Sequence, residues 1–291
     1  MIALVFWAPK MQIGIVFSLV ISQLLLFLPT VVFLIGTRTN PFRLIQHKKI
    51  RPTTALMIVG FTFLCMPLIM LVNMISMLFV DNAVDDMMGM ILSKPALLMI
   101  FLIGVLGPVS EEFVFRGVIY HSYRCGGRII GGMFLSALLF GLTHLNFNQM
   151  SYAIVVGVIG VMLIECTGSI VSSMIFHMVI NLTNVIPVFL FPETYTESGT
   201  DITAQLEMLQ MTYTEYMCVE IAIFLVIAVI SVALALCLLY AITRREGRMT
   251  HIKAIFSKGR QGEKERLWSV PLIISIALCL AYMTFDVMLY G

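Results

Sequence analysis

Charge is scarce in this chain. Only 12% of its 291 residues are Asp, Glu, Lys or Arg, against about 25% in an ordinary soluble domain. Hydrophobic residues make up 60%, and the mean hydropathy is +1.00. This balance excludes a soluble enzyme and leaves no room for a large soluble domain beside the apolar runs. Any strong basic excess is missing too: the net charge is +2, and nucleic acid is not an expected partner. The six cysteines, Cys65, Cys125, Cys166, Cys218, Cys237 and Cys279, never form a CxxC pair. A cysteine metal site or disulfide framework is therefore excluded, and they read as small packing residues. Met1 to Lys10 lacks a basic leader and a small-residue cleavage site, so the first apolar run is expected to remain as a span. Internal repeats and low-complexity tracts are absent as well.

What is present is a series of apolar runs, several near or above the roughly 18 residues that cross a bilayer. Eight spans are expected, at 11–36, 54–80, 95–121, 129–147, 150–166, 168–191, 217–242 and 268–289, the fifth being the short one. The expected fold is an all-α, polytopic transmembrane bundle. It divides into spans one and two (1–94), a central unit (95–192) and an exterior loop with the last two spans (193–291).

The loops between spans orient the bundle. Arg38, Arg43, Lys48, Lys49 and Arg51, then Arg124 and Arg128, then eight Lys and Arg between 244 and 266 fall on one side. With Arg116 these are 16 of the 18 basic residues. Asp81, Asp85, Asp86, Glu193, Glu197, Asp201, Glu207 and Glu215 fall on the other. Basic loops stay in the cytoplasm, which places both termini outside. Ile202, Leu206 and Leu209 in the long exterior loop fit either a short interfacial helix or a solvated acidic segment.

Against this apolar background stands Ser110-Glu111-Glu112-Phe113-Val114-Phe115-Arg116. Ionisable groups inside a span are costly and mark function by default. Two further polar pairs follow, Phe140 with His144 and His177 with Asn181. Counted from the basic ends of their spans at about 1.5 Å per residue, Glu111, His144, His177 and Asn181 all lie roughly 15–24 Å deep. Residues four apart share a helix face, so Glu112 can pair with Arg116, and His177 and Asn181 point the same way. Glu111, about 100° round the helix from Glu112, is the freer carboxylate and the better candidate for chemistry. Glu112 is the better candidate for orientation and charge balance.

Glu111-Glu112-x-x-x-Arg116, Phe140-x-x-x-His144 and His177-x-x-x-Asn181, in this order, resemble the signature of the CAAX protease and bacteriocin-processing (CPBP, or Abi) family of intramembrane proteases, which includes the type II, Ras-converting CAAX prenyl endopeptidase. All three motifs are complete, over about 70 residues from Glu111 to Asn181. The resemblance implies a site in a cavity within the membrane and hydrolysis of a peptide bond. Glu111 would activate a water, Glu112 would help hold the site and His144 would position the water. His177 and Asn181 would stabilise the oxyanion, and Arg116 would secure the glutamates, with Phe140 in support. It also implies a peptide or membrane-protein substrate, lipidated or secreted, and roles such as bacteriocin processing.

Two mechanisms are compatible with these residues. One is a glutamate-activated water with no cofactor, the reading adopted. The other is a divalent metal such as zinc held by Glu111, His144 and His177, although HExxH, the strongest local zinc signature, is missing. A rhomboid GxSG and a presenilin-like GxGD are absent, and Asp286 is the only Asp within an expected span. A proton-coupled transporter and a non-catalytic immunity or scaffold protein are the competing functions. Short loops and the lack of a KDEL-type signal point to a prokaryotic plasma membrane.

Overall fold

A computed structural model describes residues 14–40, 45, 47–80, 88–196, 206–257 and 267–290. Among them there is no strand, only an isolated bridge between His47 and Ser169. The helices are α1 (Ile15–Gly36), α2 (Pro52–Met77), α3 (Met88–Leu92), α4 (Ala96–Cys125), α5 (Ile129–Leu142), α6 (Phe147–Thr167), α7 (Ile170–Leu190), α8 (Pro192–Thr196), α9 (Tyr213–Arg245), α10 (Met249–Phe256) and α11 (Val270–Tyr290). Residues 206–209 add one helical turn, whereas Ile202 lies outside the described residues, as do the acidic residues Asp81, Asp85, Asp86, Glu197 and Asp201 and the basic residues Lys10, Arg43, Lys258, Arg260, Lys264 and Arg266.

Seven helices (α1, α2, α4, α6, α7, α9 and α11) are long and apolar enough to cross a membrane, and α5 is a shorter apolar helix. The chain is a polytopic helical bundle, as expected. The short member, however, is the fourth span and not the fifth. Asn146 explains the difference. Its backbone is extended and its side chain accepts the Gln149 backbone N–H at 3.0 Å, a helix N-cap that starts α6 at Phe147. Leu145 just before it takes a left-handed φ of 51°. α5 therefore stops at Leu142, roughly 20 Å from its start, short of the about 30 Å of a bilayer core. At the far end of α6, Gly168 adopts φ 77° and Ser169 caps α7, so α6 and α7 form a tight antiparallel pair.

α6 sits at the centre, packed on α5, α7 and α2, while α9 lies along α2. The core gathers Phe61, Phe115, Phe140, Phe176 and Leu163. On α1, α9 and α11, apolar residues such as Leu28, Val229 and Leu278 face outward, the arrangement a lipid solvent requires.

Two buried carboxylates tie the basic end together. Glu165 of α6 accepts from Tyr120 Oη (2.9 Å) and Arg124 Nε (2.6 Å), and His251 of α10 also reaches it. Glu246, after α9, takes Thr54 Oγ1 (2.6 Å) and Lys48 Nζ (3.1 Å). Burial opposes the Glu246 charge, but those hydrogen bonds and the charges of Lys48 and Arg51 hold its carboxyl below the usual carboxylate range. The folded-state pKa is thus depressed. The stabilisation is present above the unfolded pKa of about 4.3 and fades as the pH falls through the lower folded value. Thermal unfolding of Glu246→Gln is expected to be less acid-sensitive than that of wild type between about pH 5 and 3. Parallel pH dependences would contradict this.

Candidate active site

The site is built on a helix with altered winding. α4 is α-helical at Gly107–Glu112 but widens to π-helical turns on either side, at Leu102–Leu106 and Phe113–Tyr120. Pro108 accounts for the first. It has no N–H to donate, and the Gly107 N–H instead reaches back five residues to the Leu102 carbonyl. In that register the Ile103 carbonyl would be served by residue 108, which cannot serve it. Asn181 of α7 fills the gap, donating from Nδ2 to Ile103 O at 2.9 Å. Asn181 therefore clamps α7 to α4 with one of its two N–H groups and keeps the other. Wide turns of this kind occur often at functional sites.

The two adjacent glutamates have different surroundings. Glu112, 1% exposed, is surrounded by partners. Arg116 Nη1 lies 3.0 Å from its Oε1, His177 Nδ1 lies 3.0 Å from the same oxygen, and the Ser173 hydroxyl donates to Oε2. The i,i+4 pair read from the sequence is thus formed in full burial. The Arg116 guanidinium sits 4.3 Å above the Phe140 ring, while its three nitrogens make no in-line hydrogen bond. Charge and the ring face hold it. Glu111 points elsewhere: its Oε2 is 3.8 Å from His177 Nε2, and its side chain lines a cavity of about 210 Å³.

Phe140 is the hub of the site. Its ring meets His144 and His177 edge-on, at centroid distances of 5.1 and 5.5 Å, and Phe115 at 5.3 Å. His144 reaches the cavity by a route the spacing does not describe. It lies past the end of α5, in the turn before Asn146, and is held by a 3.0 Å hydrogen bond between Nδ1 and the Phe140 carbonyl. Its position comes from the shortness of α5 and not from a depth counted along one continuous helix.

Glu111, Phe140, His144, His177 and Asn181 all line the one cavity, and Glu112 and Arg116 stand directly behind it. Leu19, Met88, Ile91 and Val188 make an apolar wall on another side. Among the described residues no three His, Cys, Asp or Glu side chains are grouped to hold a metal ion. The Glu111, His144 and His177 side chains are not drawn together as a zinc site.

Several site residues escaped the sequence reading. Ser173 carried a signal, lying four residues before His177 on the same helix stripe as Asn181. Gln23, Gln149, Tyr152 and Asn184 also line the cavity, and single amides in apolar helices gave no pattern to follow.

The family comparison adds to this geometry. The model described as Type II CAAX prenyl endopeptidase Rce1-like matches residues 93–183. This segment is similar to that family. It starts just before α4, ends within α7 and contains every residue of the three motifs. The Rce1-like match supports a CAAX-type endopeptidase in general, and the apolar helices fit an integral membrane protein. No curated protein and no solved structure matches the chain.

Proposed function

We propose that this protein is an intramembrane endopeptidase in which Glu111 activates a water against the carbonyl of a membrane-associated peptide, lipidated or secreted. The observation that carries the reading is the division between the two glutamates. Glu112 is committed to Arg116, Ser173 and His177, which leaves Glu111 as the carboxylate facing the cavity. A general base must reach the proton it removes; in this reading Glu111 and His144, which line the same cavity, hold the water between them. The proton taken by Glu111 goes on to the leaving amine as the tetrahedral intermediate collapses. The second N–H of Asn181 would face the oxyanion, with the His177 ring, whose Nδ1–H donates to the Glu112 carboxylate, held beside it. The charge pattern of the loops supports an orientation with both termini outside, and the short loops favour a prokaryotic plasma membrane.

The test compares peptide termini in native membranes carrying wild type or Glu111→Gln at matched levels. New termini should appear with wild type and fall by about 10²- to 10⁴-fold in the variant, while its thermal stability changes little. Identical termini in the two samples would exclude catalysis and favour a scaffold or transport role.

A further inference from the structure

The motif residues do not exhaust the polar lining of the cavity. Gln149, in the first turn of α6, lines the cavity, is 4% exposed, and has a buried Oε1 with no hydrogen-bond partner. Gln23 of α1 repeats the pattern from another direction. It lines the same cavity as Glu111, and its Oε1 is likewise buried and unpartnered. The local structure specifies both placements. The Asn146 cap sets the first turn of α6 and so the bearing of Gln149. Phe27, one turn along α1 from Gln23, stacks on Phe113 of α4 at 5.6 Å and 17°, which fixes the register of α1 against the site.

A buried polar atom without a partner costs about 1–3 kcal/mol, and native structures keep few of them. Two such amides on the cavity that Glu111 also lines mark a place where hydrogen-bonding groups arrive with a ligand. A carboxamide carries one C=O and an N–H pair, so it matches a peptide group in either rotamer. We infer that Gln149 and Gln23 grip the main chain of the bound peptide beside the bond under attack. This rests on the peptidase reading above. Gln23 lies outside the Rce1-like segment and neither residue belongs to the three motifs, so the grip makes α1 part of the binding site. Its contribution is orientation of the scissile bond relative to Glu111.

Gln149→Met and Gln23→Met test it, because methionine keeps the length and flexibility of glutamine while removing the carboxamide. Replacing an unpartnered buried amide by an apolar group of similar shape is near neutral for stability. In the membrane assay of peptide termini, each variant should release about tenfold less product than wild type, the loss of one good hydrogen bond. The unfolding temperature of the purified full-length chain should stay level or rise. Product within about twofold of wild type for both variants would overturn the grip while leaving the peptidase reading intact. Product and unfolding temperature falling together would also overturn it, by showing the amides to be structural. Absence of wild-type product would remove both proposals at once.

Discussion

Glu112→Gln is expected to lower stability and activity together. Glu112 is 1% exposed and faces Arg116, whose guanidinium is equally buried and makes no in-line hydrogen bond. Taking away the carboxylate charge strands a cation between Phe140, Gly157 and Gly160, and breaking a buried pair in this way costs about 3–5 kcal/mol. His177 loses its charged partner as well, so the ring edge facing Glu111 is no longer set. The measurement is thermal unfolding in detergent, paired with the assay of peptide termini. Glu112→Gln with Arg116→Met should recover stability, because an apolar pair can replace a buried ion pair at little cost, but not activity. A Glu112→Gln protein as stable and active as wild type would contradict the assignment. The contrast with Glu111→Gln, which should lose activity alone, separates the holding carboxylate from the reacting one.

Gly157→Ala is expected to be the most disruptive small substitution in the central helix. A Cβ at this position would lie 2.8 Å from both Cα and Cβ of Ala137 in α5, and 3.2 Å from Arg116 Nη2. Backbone cannot turn aside as a side chain can, so α5 must shift. Overpacking of this kind costs about 1–3 kcal/mol. The shift also reaches the chemistry, since α5 carries Phe140, the ring against which Arg116, His144 and His177 rest. Activity should therefore fall by more than the lost stability explains. Gly60→Ala is the control: its Cβ would meet only Leu238, at 3.9 Å, and it should leave both properties unchanged. Equal behaviour of the two variants would mean that the α5–α6 contact is softer than the structure indicates.

Much of this was legible in the linear sequence wherever one physical rule acted over a short distance. Eight apolar runs correspond to the eight principal helices, because burying backbone polar groups in lipid demands helices. Four-residue spacing paired Glu112 with Arg116 and aligned His177 with Asn181. The freer position of Glu111 followed from a 100° step along a helix that is α-helical at that point. The same counting failed where the chain leaves α-geometry. His144 was placed by extending a helix that the Asn146 cap interrupts. The π turns around Gly107–Glu112, and the Ile103 carbonyl they expose to Asn181, arise from a missing proline N–H whose effect appears only when α7 lies alongside.

The sequence by itself determined that this is a helical membrane protein, which side of it is basic, and which ionisable residues its spans contain. Those properties depend on hydropathy and helical period, which act locally. Only the tertiary structure decided that Phe140 supports both histidines, that Ser173 and Arg116 commit Glu112 while Glu111 is left to the cavity, and that the first helix brings Gln23 to the site. Those outcomes depend on close packing between helices distant in the chain, where one glycine or one cap sets which side chains meet.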